Sequence, residues 1–174
     1  RVVALDIIET ARRYVPELRA KGADLVVVIA HTGLDKVENQ PALAENVASQ
    51  LARVPGVDVL LLGHAHAEFP GPAFAGYPGV DLATGRVFGV PTVMPGRWGD
   101  HLGVIDLSLD KASGVWKLKD SRAALREIYQ RSTRKPLVEA DPLVMQTIGR
   151  EHQETLAYVR GEVAEDRCLG LRHL

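Results

Sequence analysis

The chain has 174 residues and a mass of 18.9 kDa, with 21 Lys plus Arg against 22 Asp plus Glu and a net charge of −1. That balance excludes a polybasic surface or an acidic tail as its main feature, so no nucleic-acid polymer is expected as a partner. At 46% apolar residues the chain can build a core. Its single cysteine, Cys168, excludes an internal disulfide and a cysteine-based zinc site, and no apolar run approaches the roughly 20 residues that span a bilayer.

In chain order, Ile7, Ile8, Ala11, Tyr14, Val15 and Leu18 recur at helical spacing, and Lys21-Gly22 stops that helix. The β-branched run 25–30 (LVVVIA) predicts a strand buried on both faces, ending at His31-Thr32-Gly33. Leu43, Ala44, Val47, Leu51 and Val54 predict a second helix, which would also hold Asn46, closed by Pro55-Gly56. A second buried strand follows over 57–62 (VDVLLL) and ends at Gly63-His64-Ala65-His66. Strand, helix and strand in this order predict a parallel pair with a right-handed crossover. Both histidine-bearing ends then share the carboxyl edge of the sheet, where open α/β sheets bind ligands.

Glycines and prolines break Phe69–Gly99 into loops and short strands, with an edge strand expected over 87–94 and Pro91 at a position needing no donor. Residues 102–109 and 115–118 predict a hairpin across 111–114. Asp141 as N-cap and Pro142 at the first helical position begin a last helix, which holds its spacing to Arg160-Gly161. That helix is expected to dock on the core or to lead into another domain. The chain opens at Arg1 without a leader and closes without a clear stop signal, so we expect a segment of a longer protein.

Three of the six histidines, His31, His64 and His66, lie at the ends of the two best strands. Residues two apart on a strand share a face, so His64 and His66 are expected to reach one cluster, with Gly63 clearing space for it. Imidazole suits zinc, copper, iron and nickel, and manganese when carboxylates share the site. His101, after a Trp-Gly-Asp turn, and His152, on the helical stripe of the last helix, are read as structural.

The ordered pair His31-Thr32-Gly33 and Gly63-His64-Ala65-His66, each after an apolar strand, resembles the second half of the calcineurin-like metallophosphoesterase signature. Residues 21–33 (KGADLVVVIAHTG) and 90–107 (VPTVMPGRWGDHLGVIDL) are similar to bacterial 2′,3′-cyclic-nucleotide 2′-phosphodiesterase/3′-nucleotidases, which belong with the 5′-nucleotidases. The likeness runs over residues 1–163. It implies an α/β fold: the carboxyl half of a layered metallophosphoesterase β-sandwich flanked by helices over 1–140. A linker helix and the start of a nucleotide-binding domain would follow over 141–174.

The resemblance further implies two divalent ions (manganese, zinc, iron or cobalt), with His31 and His64 on one and His66 on the other. The implied nucleophile is a hydroxide held by the metals, so no side chain is named as catalytic. The implied reaction is hydrolysis of 2′,3′-cyclic nucleotides and 3′-nucleotides, with a nucleotide as substrate and residence in the periplasm or at the cell surface. The family's D-x-H, G-D and G-N-H-[DE] elements do not occur before the GHxH in this sequence, so the chain is expected to hold half of the centre and to be inactive alone. Two other readings stand beside it: a 5′-nucleotidase or UDP-sugar hydrolase, and a metal-binding module without catalysis.

Overall fold

The computed structural model describes residues 2–112 and 114–161. Residues 162–174, which include Cys168 and the expected start of a further domain, lie outside the described set. The chain divides into two compact units between Leu137 and Val138.

The first unit opens with α1, Ile7–Ala20, capped by Asp6, whose carboxylate accepts from the Ile8 and Glu9 backbone N–H groups at 2.9 Å each. Ile8 and Val15 bury one face of this helix. Arg19 near its end pairs with Asp58, and the same carboxylate accepts the Val26 N–H at 2.7 Å, which ties the helix to the start of the sheet. Strands β1 (Val27–Ala30) and β2 (Val59–Leu62) pair in parallel, from Val27 opposite Val59 to Ala30 opposite Leu62. The expected pairing is therefore present.

The crossover between them differs from expectation. Only Ala48–Leu51, named α2, is helical, and Asn46 lies in the loop before it. The Thr32 hydroxyl donates to the Glu45 carbonyl at 2.6 Å and accepts the Val47 N–H at 2.9 Å. The Asn46 side chain accepts the Gly33 N–H at 3.1 Å. These bonds take backbone groups that a longer helix would need, and they hold 45–47 against the end of β1 instead.

Strands β3 (Glu68–Phe69), β4 (Val80–Asp81), β5 (Arg86–Val87) and β6 (Val90–Pro95) complete the sheet. Its order is β1-β2-β6-β5-β4, with β3 on β6. The stretch expected as an edge strand is thus interior, paired in parallel to β2 and antiparallel to β5 and β3. Pro91 is tolerated because it faces the two-residue β5, which asks for few donors. Leu51, Leu60, Phe69, Val87 and Met94 are fully buried in the core. Each such side chain contributes about 1.5–3 kcal/mol.

The predicted hairpin is present and longer than expected, with β7 at His101–Ala112, β8 at Val115–Glu127 and a register shift between Ser108 and Leu109. Its inner part lies across β6, where a Cβ on Gly103 would come within 3.1 Å of the Val93 side chain. A two-stranded ladder of β9 (Tyr129–Gln130) and β10 (Lys135–Pro136) ends the unit. One expectation fails in β1: Val27 is 49% and Ile29 83% exposed, so the strand is buried on one face only.

In the second unit, α3 spans Pro142–Arg160. Its Asp141 N-cap accepts from Leu143 and Val144 at 2.8 and 3.1 Å, as the sequence indicates. No residue of α3 is buried, so His152 is exposed rather than part of a packed stripe. No helix among the described residues is long and apolar enough to cross a membrane.

Candidate metal centre

Parallel pairing of Ala30 with Leu62 brings the two strand ends side by side, and the chain leaves each with a histidine close behind. The His31 and His64 rings stand edge to face, with centroids 5.1 Å apart and planes at 69°. His64 Nε2 lies 3.2 Å from a Glu45 carboxylate oxygen, supplied by the loop that Thr32 pins. Glu45 carries no signal in the sequence, because it lies 19 residues before His64 and no local spacing links them.

His64 and His66 do not share a strand face, contrary to expectation. Residues 63–67 form a bend, and His64 and His66 both have left-handed backbones, with φ of 64° and 54°. Non-glycine residues in this region carry strain and concentrate at functional sites. His66 is exposed and forms no three-ligand group with His31 and His64 among the described residues.

The role given to Gly63 also changes. A Cβ there would meet His31 Nδ1 at 3.6 Å, an ordinary contact, so no steric need for glycine exists. The tight position is Gly33, where a Cβ would come within 2.5 Å of Asn46 Oδ1 and 2.7 Å of the Ala65 Cβ.

A second cluster stands nearby. His101, expected to be structural, lines a cavity of about 440 Å³ together with His31, Gly63 and Pro95. Its Nδ1 lies 3.2 Å from Asp100 Oδ1 and its Nε2 3.8 Å from Glu68 Oε2. Among the described residues these three form the group whose ligand atoms lie within 4.8 Å of one another. Asp100 is 3% exposed, and Arg131 Nε sits 2.6 Å from its second oxygen. Burial by itself would raise the Asp100 carboxyl, but His101, the Arg97 N–H and the Arg131 charge outweigh it and hold the pKa below the ordinary value of 3.8. The Arg131 guanidinium pairs with Oδ2 of this carboxylate, and Oδ1 faces His101 and the Arg97 N–H. The cluster anchors residues 96–101 and is also a candidate metal-binding group.

No protein-family profile matches the chain. Its sequence is 48% identical over 159 residues to a 2′,3′-cyclic-nucleotide 2′-phosphodiesterase/3′-nucleotidase of Salmonella typhimurium, covering 91% of this chain and 24% of the relative. A protein of the same name from Yersinia enterocolitica is 43% identical over the same shares. The chain spans about a quarter of the length of the curated relatives it matches. The crystal structure of the calcineurin-like phosphoesterase YfkN from Bacillus subtilis superposes with a TM-score of 0.82 at 39% identity, covering 92% of this chain and 46% of that one. With this likeness in sequence and backbone, and with mixed sheets and few helices as expected, the chain carries a part of the calcineurin-like phosphoesterase fold.

Proposed function

We propose that the chain contributes half of a dinuclear metal centre that hydrolyses 2′,3′-cyclic nucleotides and 3′-nucleotides. The observation that carries this reading is the pairing of His31 and His64 at adjacent carboxyl strand ends, with ring centroids 5.1 Å apart. The donor set suits a divalent transition metal. Two imidazoles stand edge to face, neither ring is paired with a cation among the described residues, and a carboxylate is in reach of one of them.

In this reading His31 and His64 hold one ion and His66 helps to hold the second, with manganese, zinc, iron or cobalt as the metals. When bound, such ions polarise phosphoryl oxygens and make water a nucleophile at neutral pH. Glu45, accepting from His64 Nε2–H, fixes the tautomer and leaves Nδ1 free to ligate. Left-handed backbones at His64 and His66 turn the two side chains away from the strand's alternation. The pinned 45–47 loop keeps Glu45 beside His64. The same reading makes α3 a linker to a nucleotide-binding domain and gives the protein periplasmic or cell-surface residence.

The test is turnover of 2′,3′-cyclic AMP, with manganese, by the longer protein carrying this chain in its native flanking sequence. We expect His64→Ala to lower kcat/KM by about 100-fold or more, and Glu45→Gln by about tenfold, as for groups that orient a ligating histidine. A folded, metal-loaded parent that leaves the cyclic nucleotide intact would overturn the substrate assignment. Hydrolysis of 5′-nucleotides by that parent would replace it with the 5′-nucleotidase reading.

A further inference from the structure

The metal centre leaves most of the segment 95–101 (PGRWGDH) unused. Trp98 at its tip is 84% exposed, with a left-handed φ of 58° that is rare for so bulky a residue. The Arg97 guanidinium lies 4.6 Å and that of Arg131 4.8 Å from the indole centroid. This tip is held firmly. Buried Asp100 accepts the Arg97 N–H at 3.2 Å, and Arg131 donates to the Arg97 carbonyl at 2.9 Å while pairing with Asp100.

Trp98 lines a cavity of about 510 Å³ together with Asp100, Tyr129, Arg131 and Arg134. The one carboxylate in this lining, Asp100, is already engaged by Arg131 and His101. Among the described residues the Arg97 and Arg134 side chains make no ion pair and no hydrogen bond. The place thus combines an exposed aromatic ring, two guanidiniums without acceptors among the described residues and room for a small molecule.

Each component constrains the ligand. An inorganic anion would satisfy the arginines and leave the indole and Tyr129 unused, while an apolar molecule would do the reverse. Planar bases stack on aromatic rings and on guanidinium planes, and arginine forks match phosphate oxygens. We propose that this turn, with Tyr129, Arg131 and Arg134, is a binding site for a nucleoside monophosphate. The base lies against the Trp98–guanidinium stack, and the phosphate is held by Arg97 and Arg134. The site needs no metal and does not depend on the assignment of His31, His64 and His66.

The chain has two tryptophans, so Trp116→Phe leaves Trp98 as the only indole reporter. In this background, with EDTA present, 3′-AMP, adenosine and inorganic phosphate are titrated separately against Trp98 emission. The expected result is saturable quenching by 3′-AMP, with adenosine and phosphate each at least about tenfold weaker. Arg97→Ala and Arg134→Ala, both at exposed positions, should each weaken 3′-AMP by about fivefold or more, and Arg97→Lys should recover part of the loss. Circular dichroism checks that each variant is folded. Absence of saturation by 3′-AMP, or equal affinities for phosphate and 3′-AMP, or unchanged binding in Arg97→Ala would each overturn the proposal.

Discussion

Two positions show how single residues set the local chemistry. Asp100 is buried and faces His101, Arg131 and the Arg97 N–H. Because its pKa is depressed in the folded state, its contribution is fully present above the ordinary value of 3.8. As the pH falls below that value, the unfolded chain binds a proton that the folded chain resists, and stability is lost. Asp100→Asn should cost about 2 kcal/mol at neutral pH by leaving Arg131 without its partner. The variant should also lose less of its remaining stability than the parent between about pH 5 and pH 3. Melting curves across that range decide the matter, and parallel losses in the two proteins would remove Asp100 from the account. At Gly33 the issue is space. Gly33→Ala must push Asn46 or Ala65 aside, displacing the loops that carry Glu45 and His64. We expect about 1–3 kcal/mol of destabilisation, as for other overpacked positions, read by urea unfolding. Gly63→Ala, with its 3.6 Å contact, should stay within about 0.5 kcal/mol, and the reverse ranking would contradict the packing described.

At the scale of elements, much of the fold is legible in the sequence. The α1 periodicity, the apolar runs of β1 and β2, the β7–β8 hairpin and the α3 start are written in short stretches of sequence, and local pattern records them. What escaped depended on distant partners. Periodicity from Leu43 to Val54 pointed to a helix, but Thr32 and Asn46, acting across the crossover, kept all except Ala48–Leu51 from forming it. Pro91 suggested an edge, yet the two-residue β5 beside it let β6 sit inside the sheet. The candidate site divides in the same way. His31 and His64 were readable because each follows an apolar strand, whereas Glu45 and His101 reach the region through loops whose course no spacing encodes. The bend at 63–67 turned an argument from strand alternation into one about left-handed backbones.

At the scale of the molecule, the outermost strand sets behaviour in solution. β1 ends the order of its sheet, carries no charge and leaves Val27 and Ile29 bare. Such an edge invites pairing between copies. Light scattering from the 174-residue chain should therefore rise with concentration, and Ile29→Lys should suppress most of that rise. Equal scattering from both proteins would place the association elsewhere. The two tryptophans have a different consequence, for any attempt to watch the chain fold. Trp98 is 84% and Trp116 39% exposed, so neither indole belongs to the core around Leu60, Phe69 and Met94. Native emission should already sit toward the red, and melting will barely move it. Collapse of the interior will register in far-ultraviolet dichroism while the fluorescence stays nearly silent, so the two signals keep separate clocks for the core and the rim.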